Sequence, residues 1–160
     1  MADEDSQSEI VLRAVALDDP RARQLEDRLI AEMASRYGGG GPKPIPVEHF
    51  APPEGCFVVA LLDDRAMACG GFRYLRPEVA EIKRMYVEPA GRGQGLGRRV
   101  LADLERRAAE AGYGQMWLET GTEQPEAIAL YSSVGYLPTA PYGEFKYDER
   151  SRCFYRTLRG

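Results

Sequence analysis

The chain has 160 residues, 44% of them hydrophobic, which is enough to bury a substantial core, and its length suits one domain better than two. A formal net charge of −4 argues against nucleic acid as a partner, since such proteins carry a broad basic footprint. The opening MADEDSQSE has neither a basic region nor an apolar one, and no run approaches the ~18 apolar residues that span a bilayer. The expectation is one soluble, cytoplasmic domain over 1–160, with 1–8 a disordered tail and no membrane partner.

In chain order, EIVLRAVAL (9–17) has strand composition, and the DDP that follows places an aspartate cap before a proline, a helix-opening arrangement. From Pro20 to about Arg36, Leu25, Leu29, Ile30 and Met33 recur at helical spacing among charged residues. GGGGPKPIPVEHFAPPEG (38–55) is expected to form no regular element, because proline removes ladder donors and the glycine run is entropically costly. CFVVALLDD and AMACGGFRYL form an antiparallel hairpin across DDRA, and RPEV leads into a third strand, AEIKRMYV. GLGRRVLADLERRAAEAGYG is a helix with Leu101, Leu104, Ala108 and Ala111 on its buried face, Asp103 paired with Arg107 opposite, and Gly112 as its stop. QMWLET is a strand, TEQPEAIALYSSVGY a short helix ending at Gly135, and CFYRTL a last strand, with 136–152 too rich in proline, tyrosine and charge to assign. The order is that of an α/β protein.

The cysteines Cys56, Cys69 and Cys153 lack CxxC spacing and read as buried reduced thiols. The one histidine, His49, stands in a proline-rich loop without ligand spacing, so a zinc site or a Ser/His/Asp triad has nothing to build on, and no metal is expected.

The glycine loop VEPAGRGQGLGRR (87–99) joins a strand to a helix N-terminus, where unpaired amides and the positive end of the helix dipole suit phosphate. A GxGxxG register fails at Leu96 or Arg98, and the stretch has no lysine for a P-loop. RxxGxG, written Arg92, Gly95 and Gly97, fits. With EIKRMYV before it and WLETGTEQPEAIALYSSVGY after, it resembles the acyl-CoA pyrophosphate loop and second signature of the GCN5-related N-acetyltransferase (GNAT) superfamily, over roughly 80–136.

The resemblance implies a mixed central sheet of six to seven strands with helices on both faces, its two central strands splayed. It also implies an acetyl-CoA co-substrate. Met85, Tyr86 and Val87 would face the pantetheine arm with their backbone. Arg92, Gly93, Gln94, Gly95, Leu96 and Gly97 would supply amides to the pyrophosphate, and Arg98 charge. Either Glu81 or Glu119 would be the general base, each equally readable as a solvated strand-end carboxylate, while Tyr131 would be the general acid or else a core aromatic. Arg36, Tyr37, Arg73 and Arg84 stand where the acceptor would be gripped. The expected activity is N-acetylation of a small, amino-acid-like primary amine by direct transfer in a ternary complex. Alternatives are a peptide or protein acceptor, or a non-catalytic acyl-CoA-binding module. A homodimer through the C-terminal strands follows from the same resemblance.

Overall fold

The computed structural model describes residues 9–158. The expected tail at 1–8 lies outside them. Strand β1 (Ile10–Ala14) stops earlier than its composition implies, because its ladder with the next strand closes at Ala14 opposite Val58. Helix α1 (Pro20–Tyr37) opens on Asp19, whose carboxylate accepts the Arg21 amide at 2.9 Å, with Pro20 in the first turn where no N–H is needed.

Strands β2 (Cys56–Leu62) and β3 (Arg65–Arg76) form the expected hairpin. Its two-residue turn holds Asp63 and Asp64 at φ of 50° and 66°, matching the twist of the strands. Next come β4 (Val79–Val87), α2 (Leu96–Glu110), β5 (Gln115–Gly121), α3 (Pro125–Ser133), β6 (Leu137–Thr139) and β7 (Ser151–Thr157). The seven strands make one sheet in the order β1-β2-β3-β4-β5-β7-β6, antiparallel throughout except where β4 meets β5. The architecture is therefore α/β with a mixed sheet, as expected.

Alternation along β2 sends its residues to two cores. Phe57, Val59 and Leu61 meet α1, whose Ala22, Leu25, Leu29 and Met33 fall on one helical stripe. Val58 and Ala60 face the other way, toward Val100, Leu101, Leu104 and Ala108 of α2 and Tyr131 of α3. Helices thus cover both faces of the sheet.

Two expectations need correction. The 38–55 loop is not wholly irregular: Val47–Phe50 form a single 3₁₀ turn that lowers Phe50 into the α1 core, edge-on to Phe57 at 5.6 Å. Ala111 is exposed, because α2 ends one residue before it. The unassigned 136–152 segment contains β6 and a 3₁₀ turn, Gly143–Phe145.

Candidate active site

The site begins where β4 and β5 part. Their parallel ladder covers only Val79–Ile82 against Gln115–Leu118, although both strands continue. Opposite, the β3–β4 register jumps between Gly71↔Lys83 and Cys69↔Tyr86, so Arg84 and Met85 bulge against Gly70, with Arg84 at φ 62°. A Cβ at Gly70 would overlap the Met85 sulfur, so a larger residue there would push the Met85 side chain aside. Beyond Ile82 the β5-facing backbone of β4 has no ladder partner.

The glycine loop closes the end of this gap. After a 3₁₀ turn at Pro89–Gly91, Gly93 and Gly95 take φ of 84° and 76°, and a Cβ on either would meet nothing within 4 Å. Helix α2 then starts with no side-chain cap and no acid in its first turn, leaving its leading amides open. The cradle is shorter than expected, because the Arg92 amide is spent within the 3₁₀ turn on Pro89 O at 3.3 Å.

The Arg92 side chain also turns from the loop: Nε donates to Val87 O at 3.0 Å and Nη2 to Glu32 Oε1 of α1 at 2.9 Å. It ties β4, the loop and α1 together. Gln94 reaches back to Ala90 O at 3.5 Å, Leu96 is buried under the helix, and Gly97 sits over Leu130 of α3. Arg98 donates to Ser133 Oγ at 2.6 Å. Tyr86 is buried on the α1 side, so only its backbone borders the gap.

On the α1 face the gap opens into a cavity of about 670 Å³, walled by the end of α1, the 41–45 loop, β4, β5 and the segment 144–151. Glu119 lines it. Burial pushes the Glu119 carboxyl up to about 7, against the opposing pull of a 2.8 Å hydrogen bond from Ser151 Oγ. Glu81 does not line it: both oxygens are taken, one by Arg73 Nε at 3.0 Å and the other by the Tyr142 hydroxyl at 2.6 Å, at 2% exposure. It is therefore no solvated strand-end carboxylate.

Tyr131 sits across β5, in the α2–α3 core beside Tyr136 at 5.7 Å. Burial, reinforced by the Glu119 charge, lifts its hydroxyl well above the usual tyrosine range, so it carries its proton at neutral pH. Its place is that of a core aromatic, at 5% exposure, and it does not line the cavity.

Of the four residues expected to grip an acceptor, Tyr37, Arg73 and Arg84 line the cavity, and Arg73 spends Nε on the buried carboxylate of Glu81. Tyr37 donates to Gln124 Oε1 at 3.1 Å and accepts the Glu123 amide at 3.1 Å, approaching β5 where a Cβ at Gly121 would overlap its hydroxyl. Arg36 points away from the cavity, to Glu123 O at 3.0 Å and to the Glu126 carboxylate. Arg84 borders it but is neutralised by buried Glu26 at 2.9 Å, with Nη2 on Lys43 O at 2.6 Å.

Sequence reading missed Tyr142, Arg150 and Ser151, all within the unassigned 136–152. Among the described residues no cluster of three His, Cys, Asp or Glu side chains could hold a metal ion, and no helix is long and apolar enough to cross a membrane. Cys69 and Cys153 are buried free thiols and Cys56 a half-buried one.

Comparison with known proteins agrees with this geometry. The family model described as Acetyltransferase (GNAT) family matches residues 19–136. An IAA acetyltransferase of Azospirillum brasilense is 32% identical over 129 residues, 80% of this chain and 84% of its own length. A Klebsiella pneumoniae structure assigned to the acyl-CoA N-acyltransferases superposes with a TM-score of 0.79 at 26% identity, over 94% of this chain and 98% of that one. A Salmonella typhimurium structure assigned to the acetyltransferases and solved with acetyl-CoA shares the fold, with a TM-score of 0.66 at 16% identity over 94% of each chain.

Proposed function

We propose that this chain, which belongs to the acetyltransferase (GNAT) family and is an N-acetyltransferase, moves an acetyl group from acetyl-CoA to the primary amine of a small molecule by direct transfer with both substrates bound. The observation that carries the reading is Glu119: a carboxyl pushed up to about 7, opening on a cavity where β4 and β5 part, with an amide-lined loop at the end of the same gap.

The residues present fit the coenzyme. Gly93 and Gly95 hold an open, positive-φ loop whose conformation a side chain would strain, and the uncapped N-terminus of α2 favours anionic phosphate. The side of β4 that faces β5 has no ladder partner beyond Ile82 and would face an extended arm, although the Val87 carbonyl is taken by Arg92 Nε. When bound, acetyl-CoA supplies an acetyl thioester that an unprotonated amine can attack.

An alkylammonium with a pKa near ~10.4 must lose a proton before it can react. Glu119 is the group we assign to take it, since a base poised near neutrality is both deprotonated and basic enough to act. Glu81, with both oxygens committed, holds architecture instead. Tyr131 keeps the proton that a departing thiolate needs. A cavity of about 670 Å³ walled by two loops supports a small acceptor over a polypeptide.

Thermal unfolding with acetyl-CoA, dephospho-CoA, NAD and ATP in separate samples tests the coenzyme assignment, because a ligand that binds only the folded chain raises Tm. A rise with acetyl-CoA supports it. No shift at saturating acetyl-CoA would sink it.

A further inference from the structure

Resting on that reading, we infer that the acceptor is an amino acid whose carboxylate is bound by Arg150. Five cationic side chains line the cavity: Lys43, Arg73, Lys83, Arg84 and Arg150. Arg73 and Arg84 are spent on Glu81 and Glu26. Lys83 lies 4.0 Å from Glu81 and over the Phe145 ring at 5.1 Å. Lys43 is exposed on a loop, and its own carbonyl is what Arg84 holds.

Arg150 differs from all four. No carboxylate among the described residues lies within ion-pair distance of its guanidinium, yet Tyr37 holds that group by two contacts and a turn fixes its backbone. Its backbone N–H donates to Asp148 Oδ1 at 2.9 Å, its guanidinium stacks on the Tyr37 ring at 5.2 Å, and Nη1 donates to Tyr37 O at 3.4 Å. Tyr37 is in turn fixed to the start of α3 by its two hydrogen bonds. A planar fork already oriented, with N–H groups to spare and no counter-ion, matches a carboxylate at little entropic cost.

With Arg73 and Arg84 neutralised by Glu81 and Glu26, the three remaining cations are matched in number by Glu119, Glu144 and Asp148 on the lining. A carboxylate is therefore admitted by the contact with Arg150 and not by a diffuse field, which makes recognition depend on this one residue. Glu119 takes the amine end, and Leu29, Met33 and Ile45 offer an apolar wall for a side chain between them.

The test measures CoA release with the twenty L-amino acids, their primary carboxamides and a set of simple alkylamines, using the full chain and its Arg150→Gln and Arg150→Lys variants. Expected are turnover of one or more free amino acids, a ~10- to 100-fold fall in the acid-to-amide ratio of kcat/KM in Arg150→Gln, the loss of a charged hydrogen bond, and partial recovery of that ratio in Arg150→Lys. A ratio unchanged by Arg150→Gln, or turnover of uncharged amines with no amino acid accepted, would overturn the inference while leaving acetyl transfer standing. So would no turnover of any probe by a protein whose Tm acetyl-CoA raises. No Tm shift with acetyl-CoA would remove the parent reading itself.

Discussion

The Tyr142 hydroxyl donates to Glu81 Oε2 at 2.6 Å, joining residues 61 apart in the chain and anchoring the segment after β6 to the centre of the sheet. Trp117 and Phe145 meet the Tyr142 ring edge-on at 5.5 and 5.6 Å, so the ring is packed as well as bonded. Glu81 serves as the socket for this anchor, with Arg73 balancing its charge. In Tyr142→Phe the ring stays and the donor goes, leaving a buried carboxylate oxygen without that partner. Stability should drop by about 1–3 kcal/mol. Because the freed segment carries Arg150 and Ser151, KM for the acceptor should rise more than KM for acetyl-CoA. Thermal unfolding and steady-state kinetics read the two effects, and an unchanged Tm would show that the bond contributes nothing.

Glu119 should give the pH profile its acidic limb. A carboxyl titrating at about 7 must be ionised to accept a proton, so kcat/KM for the amine should rise with pH up to about 7 and cease to depend on this group above it. Glu119→Gln should remove that limb and most of the activity. Stability moves the opposite way: a folded value raised from 4.5 to about 7 means that the stabilisation is complete below about pH 4.5 and is lost as pH climbs through 7. Glu119→Gln should therefore be the more stable protein at pH 8, by at most about 3 kcal/mol. A variant equally stable at pH 5 and pH 8 relative to wild type would refute the raised value.

Arg84 and Glu26 form the buried pair that holds the bulge of β4 against α1 and, through Nη2, the loop at Lys43. Were Arg84 a substrate cation, Arg84→Ala would chiefly change KM. The pairing predicts a stability defect of about 3–5 kcal/mol, because Glu26 would be left buried without its cation. Glu26→Leu should be similarly harmful, and combining it with Arg84→Ala should recover part of the loss, since neither charge is then left buried alone. Denaturant unfolding of the four proteins completes the cycle. Additive single and double effects would mean that the pair is not coupled.

What could be read from the sequence was local. The glycine loop could be read because its glycines lie near one another in the chain and because WLETGTEQPEAIALYSSVGY follows it as a second signature, and the start of α1 was visible in Asp19-Pro20. The cavity was not readable, since its contacts span long separations: Ser151 reaches Glu119 across 32 residues and Arg84 reaches Glu26 across 58. Glu26 looks like one more charged residue between Leu25 and Leu29, and it is buried only because β4 bulges toward it. Arg150 lies in a stretch whose composition predicts no element, and only the Tyr142 anchor and the last strand bring it over Tyr37.

Gly95 separates the effect of backbone from that of bulk. Its φ of 76° lies in the left-handed region, and a Cβ there would meet nothing within 4 Å, so a side chain is excluded by conformation and not by a clash within the protein. Valine at this position pays roughly 1–2 kcal/mol for that conformation or, more cheaply, lets the loop turn out of it. The loop is at the surface, so Gly95→Val should fold with only a modest fall in Tm but lose the Tm rise that acetyl-CoA produces, as the amides of residues 93–98 no longer converge. Asparagine visits the left-handed region far more readily, so Gly95→Asn should keep most of the loop geometry and a measurable part of the response. If valine and asparagine weaken coenzyme binding equally, side-chain bulk facing the ligand is responsible. If neither weakens it, the amides at this turn do not hold the phosphates.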